Sequence, residues 1–487
     1  MIVAKIGSRI EFSGLPTAWV HWLQKICTYD ILSPNPETIK LFELTPSSIT
    51  VPRGLESTVI SALREKGYPI TILDETYPGE ETEFSVQPHI NYTEGDWHYQ
   101  GISIDNLLKH RTGRLEAPTA SGKTAMACIA MAKLGVAPIL FLTMRDNLLD
   151  QFKEEVTTVL GIPKKEIGVI KGSKLNIKPI TVGSLPTIGN KNFMKNKMRH
   201  IKDKFAVVFF DECHRSKAIT YREAIMELNP ARLYGVSATP DEFVHQDTLR
   251  LMEGLLGPIV VRIKESDIPG RITPSVYSRQ TGLTFLFEKT YKSWEQHIKR
   301  LDVHKRLMNC EQRNTLIIND VEKILNNDPK NQILICTILV EHAYKLHEML
   351  NEKGIVNCFP YKITKDPFGD IDKSTLDQKQ QKADIQRLEK GESKVLLGTY
   401  NAFQEGFNCR SLNTVLFVGA VSGKNHVRNY QVPGRCTRKF EGKENVYVIY
   451  YTDSSQPETR LQEWAEDFRR YCSEKWNKNV EIIPPPP

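Results

Sequence analysis

Lys123 and Thr124 close the run Ala117-Pro118-Thr119-Ala120-Ser121-Gly122-Lys123-Thr124, whose residue types and spacing suit the binding of a polyphosphate. In such a loop the backbone N–H groups and the N-terminus of the next helix face the phosphates. A lysine reaches the β/γ oxygens, and a threonine hydroxyl ligates magnesium. Ala117 stands where the strict pattern has glycine, and by itself the run also fits a flexible turn before a helix. A second cluster, Asp211-Glu212-Cys213-His214, follows 88 residues after Lys123, at the end of an apolar run. Carboxylates at the carboxyl end of a buried strand lie where open α/β sheets bind ligands. Asp211 suits a magnesium ligand, and Glu212 suits a group that orients or deprotonates water. Ser237-Ala238-Thr239-Pro240 ends another apolar run, where small hydroxyl residues can link a nucleotide site to neighbouring loops. Far downstream, Gln431-Val432-Pro433-Gly434-Arg435-Cys436-Thr437-Arg438 sets two arginines three apart. They could present guanidinium groups to a γ-phosphate, or form a basic solvated helix face.

These residues need strands that end at them and helices that leave from them. Residues 125–133 are rich in helix formers, as the segment after a phosphate loop should be. Short apolar runs at 138–142, 167–170, 180–182, 206–210 and 233–236 alternate with amphipathic segments, and a second series follows at 332–336, 355–359, 394–397, 414–417 and 445–450. Unbroken apolar strands between helices predict parallel sheets covered on both faces. Residues 1–88 read as a small α/β unit: strand-like at 2–12, helical at 18–27, a short strand at 40–44, helical at 54–66 and a strand at 70–73. The acidic, proline-bearing stretch 74–83 reads as a linker. Residues 458–475 predict one amphipathic helix before a proline tail. The stretch 361–380 matches no motif and is either an ordinary surface loop or a strand-separating element.

Composition narrows the class. The 487 residues suit about three domains. A net charge of +7 is compatible with a polyanionic partner. Nine scattered cysteines with no C-x-x-C pair argue against a disulfide framework or zinc site and for a reducing cytoplasm. Neither a signal peptide nor an apolar run long enough to span a membrane is expected.

Ala117–Thr124, Asp211–His214, Ser237–Thr239 and Gln431–Arg438, in that order, resemble motifs I, II, III and VI of superfamily 2 helicases. Trp97-His98-Tyr99-Gln100 resembles the aromatic-glutamine motif of that family, which implies adenine contacts from Tyr99 and Gln100. Residues 143–151, with Thr143 and Arg145, resemble motif Ia, and residues 181–184, with Gly183 and Ser184, resemble motif Ic. Residues 399–408 resemble motif V. The resemblance implies nucleic-acid contacts at Thr143, Arg145, Gly183, Ser184, Thr337 and Thr399, and nucleotide contacts at Gly406 and Asn408. Asn408 stands where the motif commonly has aspartate. His214, Ser237 and Thr239 would couple the nucleotide site to its surroundings. Lys123, Asp211, Glu212, Gln431, Arg435 and Arg438 would carry the chemistry, with ATP and Mg2+ as cofactors.

The Asp-Glu-Cys-His form and residues 256–260, with Gly270 and Pro274 following, resemble the group holding restriction-subunit-like and UvsW-type recombination helicases. The implied fold is two tandem RecA-like parallel-sheet domains, at 89–262 and 263–455, with an α/β N-terminal domain at 1–88 and a C-terminal helix at 456–487. The implied function is an ATP-dependent, monomeric, phage-type helicase acting on single-stranded, forked or branched DNA in the cytoplasm. Recombination or single-strand-binding proteins are possible partners. A restriction-like duplex translocase, an RNA helicase and a non-translocating ATP-gated clamp are the alternatives. Residues 1–88 are expected to be a substrate-binding domain, with a buttress of the first motor domain as the alternative.

Overall fold

A computed structural model describes the chain except residues 32–36, 119–120, 145, 214–218, 238–245, 287–295, 366–370, 405–408, 420–431, 435, 438–439, 456–460, 477–478 and 486–487. It divides into two compact units, Met1–Pro269 and Gly270–Pro487.

The first unit holds a five-stranded and an eight-stranded sheet, besides two two-stranded pairs among the described residues. The N-terminal one contains β1 (Ile2–Ile6), β2 (Arg9–Ser13), β3 (Glu43–Leu44), β4 (Ser48–Pro52) and β5 (Ile70–Asp74), in the order β3-β4-β2-β1-β5. The single strand expected at 2–12 is thus a hairpin, broken where Gly7 N–H bonds back to Arg9 O. Helices α1 (Thr17–Ile26) and α2 (Glu56–Glu65) supply Leu23, Val59, Ile60 and Leu63 to its core.

The larger sheet of this unit follows α3 (His98–Leu108). It comprises β6 (Thr112–Glu116), β7 (Ile139–Thr143), β8 (Gly168–Lys171), β9 (Lys174–Asn176), β10 (Ile180–Ser184), β11 (Val207–Asp211), β12 (Arg232–Ser237) and β13 (Ile259–Arg262). Their order is β9-β8-β10-β7-β11-β12-β6-β13, parallel except for the edge pair of β8 and β9. Strands β7 and β11 are apolar and buried because helices cover both faces. Phe141 stacks on Phe152 of α5 (Asp146–Leu160), with ring centroids 4.1 Å apart, and also meets Phe209. Each such ring contributes about 1.5–3 kcal/mol by leaving water.

The stretch 74–83 is not a linker. Tyr77 bridges Pro230, and Glu80–Glu81 pairs with Val136–Ala137. The N-terminal residues are welded to the larger sheet in other ways. Tyr29 and Ile39 share one hydrophobic cluster with Leu140, Phe210 and Leu251. The buried Arg53 donates to Pro230 O and, at 2.9 Å, to Ala231 O. Its Nε lies 3.6 Å from Glu56, which Arg111 also meets at 3.3 Å. A Cβ at Gly54 would overlap the backbone of Glu253, Gly254 and Gly257, so only glycine permits this approach to α6 (Gln246–Leu256).

The second unit is built on a parallel sheet of β14 (Ser275–Phe285), β15 (Ile333–Thr337), β16 (Asn357–Cys358), β19 (Val395–Thr399), β20 (Thr414–Phe417), β21 (Tyr447–Ser455) and β22 (Glu481–Ile483). A separate hairpin of β17 (Tyr361–Lys365) and β18 (Ile371–Leu376) lies between β16 and β19 in the chain. The sheet order is β16-β19-β15-β20-β21-β14-β22. Helices α7 (Glu311–Asn327), α8 (Val340–Glu352), α9 (Gln378–Glu389) and α10 (Leu461–Trp476) belong to this unit. The segment after α10 is no appendix, because β22 pairs in parallel with β14. The nine cysteines are free thiols, eight of them buried. Among the described residues no helix is long and apolar enough to cross a membrane.

Candidate active site

Three of the singled-out segments meet at the carboxyl ends of adjacent strands in the first unit. Strand β12 lies between β6 and β11, in register, so Ser237 is the partner of Glu116 and Val236 of Asp211. Ala117 N–H donates to Ser237 O at 3.0 Å, tying the first residue of the phosphate loop to motif III. Gly122 ends the loop in the left-handed region, at φ +80°, and Lys123 opens helix α4 (Lys123–Leu134). The Lys123 ammonium donates to Ala117 O and Pro118 O, both at 3.1 Å, and so lies over the loop it would serve. Thr124 is half-buried in the first helical turn.

Two observations test whether ATP fits. Ser121 Oγ is fully buried and has no hydrogen-bond partner among the described residues. The helix N-terminus and the adjacent ammonium both favour an anion. The residues present fit a triphosphate. Thr124 and Asp211 would hold magnesium, the former from the helix and the latter from the half-buried end of β11.

Tyr99 and Gln100, buried on α3, reach the same loop. The Tyr99 hydroxyl donates to Ser121 O at 2.8 Å, and Gln100 Nε2 donates to it at 3.0 Å. The structure therefore gives these two side chains a grip on the loop backbone, a contact that the motif's spacing does not reveal. A Cβ at Gly122 would overlap Gln100 Nε2. Gly122→Ala is expected to weaken ATP binding about tenfold or more, through left-handed strain plus this overlap, as read by titration with a fluorescent nucleotide.

Glu212 is the one non-glycine residue with a positive φ, +51°, among the described residues. Strained backbone of this kind persists where the surroundings impose it, and it concentrates at functional sites.

The other assigned positions come together in pairs. Thr143 and Ser184 are register partners at the ends of β7 and β10, and Gly183 is opposite Leu142. Thr337 and Thr399 are register partners at the ends of β15 and β19 in the second unit. Thr143, Ser184 and Thr337 are buried, and Thr337 Oγ1 is turned to Leu339 O at 2.8 Å. Thr119, Ala120, Arg145, His214, Thr239, Gly406, Asn408, Gln431, Arg435 and Arg438 lie outside the described residues.

Sequence reasoning missed two fastenings in the second unit. Arg313 is fully buried and donates through Nε to both Asp453 oxygens at 3.0 Å and through Nη2 to Val418 O at 2.8 Å. Tyr400 donates to Gly419 O at 3.0 Å. Both hold the end of β20, and neither carries a local sequence signal.

Comparison with known proteins agrees with this geometry. The family described as "Type III restriction enzyme, res subunit" matches residues 96–242, and "Helicase conserved C-terminal domain" matches residues 316–440. The chain carries the paired helicase domains of superfamily 2. The helicase is 25% identical to the "DNA 3'-5' translocase XPB2" of Sulfurisphaera tokodaii over 73% of its own length and 81% of that relative's. Further relatives are matched over only 26% to 47% of their own lengths. Among solved structures, an HsdR fragment of a type I restriction enzyme from Vibrio vulnificus is similar, with a TM-score of 0.51 and 16% identity over 79% of the helicase and 67% of that chain. This likeness shows the fold of tandem RecA-like domains. Bacteriophage T4 UvsW is matched over 99% of both chains at 16% identity, with a TM-score of 0.41.

Proposed function

We propose that the chain is an ATP-driven DNA translocase that remodels branched DNA by fork unwinding and branch migration, as phage recombination, repair or replication would require. The observation that carries the reading is the convergence of Lys123, Thr124, Asp211, Glu212 and Ser237 at the carboxyl ends of neighbouring strands. Bound magnesium would neutralise charge on the phosphates. Lys123 holds the β/γ oxygens, Glu212 orients and deprotonates the attacking water, and Ser237 ties motif III to the loop. Arg435 and Arg438 take the charge that develops on the γ-phosphate, on the strength of their motif's spacing. Arg438→Ala is expected to slow hydrolysis by about 10³ and to leave nucleic-acid affinity without ATP unchanged. A collapse of affinity with hydrolysis preserved would make these arginines backbone contacts.

DNA is favoured by the relative described as a DNA translocase, which aligns over most of both chains. The same description favours, as a second reading, translocation along duplex without strand separation. ATP turnover on single strand, duplex, fork, four-way junction and RNA separates them. The proposal requires the greatest stimulation by forks and junctions, with ATP-dependent exchange of junction arms. Equal stimulation by plain duplex with no strand release supports the second reading, and preference for RNA overturns both.

A further inference from the structure

The hairpin of β17 and β18 belongs to neither large sheet. Tyr361 is opposite Leu376, Lys362 opposite Thr375, Ile363 opposite Ser374 and Thr364 opposite Lys373. Opposed residues share a face, so the two faces differ in chemistry. Tyr361, Ile363 and Leu376 are half-buried on the inner face, whereas Lys362, Thr364, Lys373 and Thr375 are all exposed on the outer.

The inner face is fastened at two points. Tyr361 packs on Phe359 with centroids 5.0 Å apart, and Phe359 stacks on His347 of α8 at 5.3 Å. The Tyr361 hydroxyl also accepts a hydrogen bond from Thr399 N–H at 3.1 Å and lies 3.0 Å from Thr399 Oγ1. Thr399 ends β19 and begins motif V. One phenol therefore joins the root of an exposed ribbon to a motor strand end.

The outer face is a row of donors. The first turns of α9 add exposed Lys379 and Lys382, while Asp377 caps that helix and meets Lys362 at 2.9 Å. Among the described residues of 361–382, Asp372 is the one exposed acid against five exposed lysines. Ammonium and hydroxyl groups are what phosphodiester oxygens accept from. Single-strand platforms stack bases on aromatic rings, whereas the described rings, Phe359 and Tyr361, are packed on α8 and the end of β19. Duplex grooves admit a two-stranded ribbon.

We propose that this hairpin grips the phosphodiester backbone of duplex DNA beside a branch, and that Tyr361 is a positioning residue tying that grip to the motif V strand end. The proposal rests on the reading of the chain as a DNA translocase. Two full-length variants test it: Lys362→Gln with Lys373→Gln, and Tyr361→Phe. The lysine pair should flatten the slope of log affinity against log salt for duplex by about 0.9 per lysine removed, with the slope for single strand unchanged. Tyr361→Phe keeps the ring and should keep the duplex slope, but the ATP consumed per base pair separated should rise about tenfold. An unchanged duplex slope in the lysine pair overturns the grip. A Tyr361→Phe chain that melts lower and loses ATPase and strand separation in parallel overturns the coupling, as does one with unaltered ATP consumption per base pair. If the unaltered chain does not separate or migrate branches, the functional reading fails, while the duplex salt slope still decides the grip.

Discussion

Glu212→Gln is expected to keep ATP binding and to slow hydrolysis by about 10²–10⁴, the usual worth of a positioned base. The substitution keeps side-chain length and the left-handed backbone at residue 212, so the loss reports the carboxylate alone. Equilibrium binding of a fluorescent nucleotide and single-turnover phosphate release measure the two quantities separately. Ordinary turnover in this variant, or in Lys123→Ala, would sink the assignment of both motifs. Glu212→Gly sharpens the point. It removes the carboxylate and also relieves backbone strain worth about 1–3 kcal/mol. The glycine chain should therefore unfold at a higher temperature while hydrolysing no faster than the glutamine one, a trade of stability for activity at one residue.

The second large effect lies far from the nucleotide. Burial pushes the Arg53 guanidinium down to about 10, so it remains charged at neutral pH and depends on Glu56 and the carbonyls of Pro230 and Ala231. Removing one member of a buried pair leaves uncompensated charge and orphaned acceptors. Arg53→Ala should cost about 3–5 kcal/mol, read by denaturant unfolding of the full chain. Arg53→Met with Glu56→Leu should recover most of that loss, since an apolar replacement of the whole pair leaves no bare charge. A cost below about 1 kcal/mol would show the contact to be idle. Deletion of residues 1–88 is the larger version of the same experiment. It strips Tyr29 and Ile39 from a cluster that includes Leu140, Phe210 and Leu251, so the truncated chain should aggregate or lose ATPase on every substrate. Of the two roles that the sequence left open for this segment, packing favours the buttress. A soluble truncation with full ATPase would reverse that conclusion.

Much of this architecture is legible in the sequence because parallel strands covered on both faces are apolar throughout. The runs that became β7, β11, β15 and β20 announce themselves in this way. Strand β6, which carries the phosphate loop, does not. Its sequence Thr-Gly-Arg-Leu-Glu is polar yet wholly buried, with Arg114 Nε satisfied by Gly257 O at 2.9 Å and Glu116 by Arg262 at 3.4 Å. Partners more than 140 residues away leave no local pattern. Strand β14 hides similarly behind Arg279, which pairs with Asp320 at 2.9 Å. The acidic, proline-bearing composition of 74–83 describes a surface, and a strap laid along a surface shares that composition with a free linker. The family resemblance assigns these motif residues, and the structure joins Thr143 to Ser184 and Thr337 to Thr399 as strand-end neighbours. Tyr361 and Arg313 escaped because their partners lie 38 and 140 residues along the chain.

The outermost strands of the two large sheets are short: Lys174–Asn176 and Ile259–Arg262 in one, Asn357–Cys358 and Glu481–Ile483 in the other. A bare sheet margin is a template on which a second copy of a chain can add a strand, and brevity is one way of denying it a foothold. The three residues Glu481–Ile483 matter most in this respect, since they cover part of the eleven-residue strand Ser275–Phe285. Ending the chain at residue 480 would uncover that margin and invite copy-upon-copy fibre growth, without touching any residue assigned to nucleotide or nucleic acid.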